Sequence, residues 1–134
     1  MYSLREEIEG YRTEILALRR DFHEHPELGY KEFRTSKTIY DYLKAIGCDS
    51  VQNIAKTGVV GTLYGERRRG KTVILRANMD ALPITEDTHL SYASQTPGVM
   101  HAGGHDAHMA VALVVGKLLS RHRDAFRGCV RLVF

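Results

Sequence analysis

Residues 71–78 read KTVILRAN, and their centre, Val73-Ile74-Leu75, is apolar without interruption. Side chains alternate between the two faces of a strand, so three apolar residues in succession fit a strand covered on both sides. That pattern places the chain in the α/β class. Upstream, TGVVGTLYG (57–65) is a second β-branched run, and the intervening ERRRG has the polarity of a hairpin turn. The two runs are therefore expected to pair as neighbours. Downstream, GCVRLVF (128–134) begins one more buried strand, which this reading leaves with an open edge.

Helical segments surround these strands. Residues 106 to 121 are apolar nearly all round, through Met109, Ala110, Val111, Ala112, Leu113, Val114, Val115 and Leu118, which predicts a buried helix lying against the sheet. At the start of the chain, Leu4, Ile8, Tyr11, Ile15, Leu18 and Phe22 recur at steps of four and three, the spacing of one amphipathic helix. Pro26 biases His25 away from helical dihedrals and ends that element. After a turn at PELGY, a further helix is predicted from about Lys31 to Ile46, with Phe33, Ile39, Tyr40, Leu43 and Ile46 inward and Gly47 as a left-handed cap. The passage from 79 to 103 is loop-rich.

The bulk properties exclude several classes. A chain of 134 residues fits one domain, and 43% hydrophobic with 26% charged residues is ordinary for a globular protein. No apolar run reaches the roughly 18 residues of a bilayer span, and the charged amino terminus lacks a secretory signal. Cys48 and Cys129 show no pairing pattern and read as buried thiols, consistent with a cytoplasmic location. A net charge of +3 and the basic ERRRGK segment, without interleaved aromatics, do not support a nucleic-acid partner, and no membrane partner is expected.

Two stretches carry candidate chemistry. NMDALP (78–83) leaves the carboxyl end of the 71–77 strand, where sites gather in open α/β sheets, so Asp80 is well placed for a catalytic role, although an aspartate there is more often a turn former or helix N-cap. GVMHAGGHDAHM (98–109) places His101, His105 and His108 at i, i+4 and i+7, ahead of the apolar helix. Gly103–Gly104 interrupts the backbone, which disfavours a single three-histidine helical face. The residues alone leave a metal loop and a histidine-rich structural loop as alternatives. His23 and His25 read as structural, and His89 and His122 as surface residues.

Taken together, RRDFHEHPELGYKEFRTSKTI, KTGVVGTLYG, ILRANMDALP, TPGVMHAGGHDAHMA and FRGCVRLVF resemble the start of the zinc-dependent amidohydrolases and metallopeptidases. That group includes hippurate hydrolase, bacterial N-acyl-amino-acid amidohydrolases and plant auxin-conjugate hydrolases. The resemblance implies part of a catalytic α/β domain of the di-zinc exopeptidase type, three-layered with a mixed sheet. It implies a zinc or other divalent metal cofactor, a small N-acyl amino acid or short peptide as substrate, and homo-oligomeric full-length relatives. Metal-bound water attacks the amide carbonyl in that chemistry. His105 matches the metal-ligand histidine of the family block HACGHD, and Asp80 matches the aspartate of RADMDALP. Asp106 and His108 also match, as ligands or as orienting groups, and His101 is a further makeshift donor.

Two positions depart from the family pattern. Its cysteine ligand is Gly103 here, which removes a thiolate donor, and its aspartate two residues before Asp80 is Asn78, which removes a negative charge. The family's Gln-Pro-Ala-Glu-Glu segment, its lid or dimerisation domain and its later ligand histidines have no counterpart in the 134 residues. The expectation is residues 1–134 as the amino-terminal part of a single catalytic domain, truncated and short of ligands. The alternative is a catalytically inactive remnant or interaction domain.

Overall fold

The computed structural model describes residues 1–134, the side chain of Arg68 excepted. The elements run α1 (Leu4–Glu9), α2 (Arg12–Glu24), α3 (Phe33–Ala45), β1 (Ser50–Ile54), β2 (Gly58–Tyr64), β3 (Arg67–Arg76), α4 (His105–Ser120) and β4 (Arg127–Val133). The four strands form one sheet in the order β1-β2-β4-β3. β1, β2 and β4 are antiparallel neighbours, whereas β3 runs parallel to β4, so the sheet is mixed.

This order corrects the expected hairpin. β2 and β3 are consecutive in sequence but do not pair, because β4 lies between them, with Val130 opposite Leu63 on one side and Val73 on the other. ERRRG is not a free turn, since Arg67–Gly70 already belong to β3. The edge strands are therefore β1 and β3, and residues 128–134 lie inside the sheet. Val73 and Ile74 are correspondingly exposed, so the apolar run is not covered on both faces in this chain. β1 has one buried residue, Val51, in a polar surround, and sequence patterning passed over it.

The helices pack on the sheet face that carries Val59, Leu63 and Leu132, all fully buried. Phe22 from α2, Ile39 and Leu43 from α3, and Met109 and Leu113 from α4 join them in one core. On the opposite face Ile74 and Arg131, partners in the β3–β4 register, are exposed. α4 fulfils the expectation of a buried helix, with only Val111 among its large apolar residues well exposed.

The amino-terminal amphipathic segment is two helices, not one. Tyr11 takes a non-helical conformation after Gly10, the poorest helix former short of proline, and the break turns α2 so that Tyr11 is buried against the cations of α4. Its ring lies 5.6 Å from both Lys117 Nζ and Arg121 Cζ. Leu4 and Ile8, left on α1, stay largely exposed. Phe33 is also exposed, contrary to its expected inward place, because α3 starts there and its buried face begins at Thr35.

Both ends of α3 are closed by groups outside it. Glu27, in the PELGY turn, accepts from the N–H of Arg34 at 3.0 Å and from the N–H and hydroxyl of Thr35 at 2.7 Å each. These are the first-turn donors that a helix leaves unsatisfied. At the other end the N–H of Gly47 reaches Lys44 O and that of Cys48 reaches Leu43 O, the paired bonds of a Schellman motif. Substituting Glu27→Ala is expected to cost about 1–3 kcal/mol, since three donors lose a charged acceptor. Urea denaturation checks this, and a midpoint unchanged from the parent would show that solvent replaces the carboxylate without loss.

Neither cysteine is in a disulfide. Cys129 is buried in β4, and burial pushes the half-buried Cys48 thiol up to about 11. Among the described residues no helix is long and apolar enough to cross a membrane.

Candidate functional site

The segment after β3 alternates cleanly. Ala77, Met79 and Ala81 are buried in or beside the core, which turns Asn78 and Asp80 to the other side. Asp80 is fixed by its neighbours: the N–H of Ala81 donates to Glu27 O at 2.8 Å, and Leu82 and Met100 exchange backbone hydrogen bonds at 2.9 and 3.0 Å. That isolated bridge lays 79–82 beside 100–103 and brings Asp80 to the start of α4.

His105, the first residue of α4, meets Asp80 there. Its Nδ1 lies 2.8 Å from the Asp80 carbonyl oxygen and 3.1 Å from Oδ1. A ring nitrogen facing a carbonyl must donate, so Nδ1 carries a hydrogen, and in the neutral ring the lone pair is then on Nε2. Two of the residues singled out in the sequence are thus in direct contact, at the carboxyl end of a sheet strand.

The other candidates lie differently. Asp106 is buried, and its Oδ2 accepts from Arg19 Nε and lies against His23 Nδ1, each at 2.8 Å. His23 Nε2 in turn lies 3.0 Å from Glu86 Oε1. Burial pushes the Glu86 carboxyl up, but hydrogen bonds from Thr88, the Ser94 N–H and His23 outweigh it and hold the group below the usual range. His101 is buried, with neither ring nitrogen hydrogen-bonded among the described residues, and the same holds for Asp106 Oδ1. Burial draws the His101 pKa down, against the opposing field of Asp106. His108 is exposed, its ring centroid 6.3 Å from that of His105. Gly103 is exposed and borders open space, with Leu82 Cδ1 at 3.9 Å from where a Cβ would stand.

Sequence reading set His23 aside as structural and did not single out Glu86, Arg19 or Tyr92. Arg19 Nη1 donates to the Tyr92 hydroxyl at 3.1 Å, and Tyr92 stands edge-on to the His23 ring. The hydrogen-bonded partners lie 63 to 87 positions apart along the chain, so no local pattern announces them. His25 Nδ1 bonds back to Asp21 O, His89 is exposed beside Asp87, and His122, expected on the surface, is half-buried against Glu7.

A catalytic zinc takes about three protein donors and an open position. Among the described residues no three His, Cys, Asp or Glu side chains converge on a point that would hold a metal ion. Gly103 brings no donor, Asn78 brings a neutral amide, and Asp106 is committed to Arg19 and His23. Among the described residues the donor set for such a centre is therefore incomplete.

Beside Asp80 and Asn78 lies a cavity of about 430 Å³, bounded by Arg76 and Phe134 at the strand ends and by Tyr30, Glu32 and Thr57. Its place beyond the carboxyl ends of β3 and β4 is where α/β sheets bind ligands.

Residues 74–134 match peptidase family M20/M25/M40. An N-acyl-L-amino acid amidohydrolase of Geobacillus stearothermophilus is 41% identical over 127 residues, covering 95% of this chain and 34% of that protein. Thermostable carboxypeptidase 1 of Saccharolobus solfataricus is 42% identical over 132 residues, covering 98% and 33%. Among solved structures, a Bacillus subtilis protein described as a dinuclear metal binding peptidase of the M20 family superposes with a TM-score of 0.88 at 38% identity, covering 94% of this chain and 35% of that one. The chain spans about a third of the length of the relatives it matches.

Proposed function

We propose that this chain forms part of a metal-dependent amidohydrolase of the M20 peptidase type, acting on the amide bond of N-acyl amino acids, with zinc or another divalent cation as cofactor. The observation that supports this most directly is the His105–Asp80 contact at the carboxyl end of β3. His105 is the chain's metal ligand, through Nε2, and the bonds at Nδ1 hold the ring in the matching tautomer. Asp80 orients that ring and faces the cavity. Asp106 acts on the loop from behind, by anchoring the first turn of α4 to α2. When bound, the metal would polarise the amide carbonyl and activate water. The remaining donors would come from outside these 134 residues. Gly103 and Asn78 favour a second reading, a remnant or interaction domain without turnover.

Metal binding and turnover test these readings. The purified chain is expected to hold clearly less than one equivalent of zinc after dialysis. Gly103→Cys places a thiolate two residues from His105 in space that accepts a Cβ. It is expected to tighten Cd²⁺ or Co²⁺ binding by about ten-fold or more, with a thiolate-to-metal charge-transfer absorption. Stoichiometric zinc in the parent chain would refute the ligand deficit. Release of benzoate from hippurate by the parent would eliminate the remnant reading, and a Gly103→Cys variant with no gain in affinity would eliminate this loop as a metal site.

A further inference from the structure

We propose that Arg76 is the anchor for the substrate's carboxylate, which makes it a specificity-determining residue of the cavity beside Asp80; the inference rests on the amidohydrolase reading and names the end of the substrate that the cavity takes. Arg76, Asn78 and Asp80 follow one another at the strand period, and the intervening Ala77 and Met79 are buried. The three therefore share one side, and all three line the cavity.

The electrostatics single out the arginine. Two carboxylates also border the cavity, and both have partners: Glu32 is buried and accepts from the Thr57 hydroxyl at 3.3 Å, and Asp80 Oδ1 lies 3.1 Å from His105 Nδ1. Arg76 is exposed, and its side chain makes no hydrogen bond, ion pair or ring contact among the described residues. Its guanidinium is the charge left over, and its fork of donors matches a carboxylate in two parallel bonds. An N-acyl amino acid seated on it would direct its amide along the same row, past Asn78 towards Asp80.

The rim adds an independent indication that the cavity receives a ligand. Leu28 to Lys31 form a turn closed by the Lys31 N–H on Leu28 O at 2.9 Å, and Tyr30 occupies its third position with φ 64°. That conformation favours glycine, and a bulky residue held there is strained. The ring is nonetheless 71% exposed at the cavity mouth, where it contributes nothing to the core. Strain maintained at an exposed aromatic beside a cavity is characteristic of binding sites.

The test is a titration of the ¹⁵N-labelled 134-residue chain with hippurate and, separately, with hippuramide, its uncharged analogue. Hippurate is expected to shift the amide resonances of Thr57, Arg76 and Asn78, and hippuramide to bind about ten-fold more weakly or worse. Arg76→Gln is expected to erase that difference with the rest of the spectrum unchanged, and Arg76→Lys to retain part of it. Equal affinity for the two ligands, shifts clustered elsewhere, no shifts at millimolar hippurate, or an Arg76→Gln variant that still discriminates would each overturn the assignment. If Gly103→Cys gains metal while hippurate fails to bind, the anchor fails and the amidohydrolase reading stands. Carboxylate-selective binding by a chain whose Gly103→Cys variant gains no metal reverses that outcome.

Discussion

Asp106→Ala is expected to destabilise the chain by about 3–5 kcal/mol, a large share of the total stability of a single domain. The substitution removes one carboxylate from between two cationic or donor groups. Asp106 is 1% exposed and His23 is 2% exposed, so neither can recover its interaction from solvent. His23 would keep Glu86 on one side and face an unfilled space on the other. Arg19, about a third exposed, loses less. Asp106→Asn keeps the shape and one acceptor and is expected to cost clearly less. Thermal unfolding of the pair checks both statements. An alanine variant that melts within a degree or two of the parent would show the network to be energetically idle.

Gly128→Ala is expected to be worse, at about 4 kcal/mol or more, with the variant largely insoluble. A Cβ at Gly128 would stand 2.1 Å from Lys71 O, and φ there is +74°. The obstructing atoms are backbone of β3, at the register shift between Arg67 and Thr72, so no side chain can swing aside. Gly47 supplies the control, because it has a similar φ of +88° but nothing within 4 Å of its Cβ position. Gly47→Ala therefore isolates the conformational penalty, expected at about 1 kcal/mol. If the two variants lose equal stability by urea denaturation, the close approach of β3 and β4 is not the cause. The aggregation expected of Gly128→Ala does not blur this, since soluble yield alone separates it from the control.

What could be read in the sequence depended on how local each signal is. α4 announces itself because nearly every residue from Met109 to Leu118 is apolar, and β4 because Cys129–Phe134 is a short run of the same kind. The Schellman cap of α3 was legible from Gly47 alone. The separation of β2 from β3 is not legible, because strand adjacency depends on where a later segment, Arg127–Val133, inserts. No turn composition encodes that. The two-helix start is hidden for a related reason: the four-and-three spacing continues through Tyr11, and the weak helix former Gly10 becomes a break where Tyr11 meets Lys117 and Arg121. At the site, His105 and Asp80 stood out by position relative to a strand end and a helix start. Their contact depends on the Leu82–Met100 bridge, which joins residues with no shared pattern. The carboxylates and aromatics around His23 are ordinary loop residues until the fold assembles them.

The insertion of β4 between two earlier strands also constrains when the sheet can exist. As the polypeptide leaves the ribosome, β1 and β2 can zip together at once, but β3 has no neighbour to bind until residues 127–133 have emerged. For that interval its backbone groups are satisfied by water and Val73 and Ile74 are bare. β4, made after the two strands it joins, is the one that closes the centre, so folding of this sheet is expected to be cooperative and governed by a search over long sequence separations rather than by local propensity.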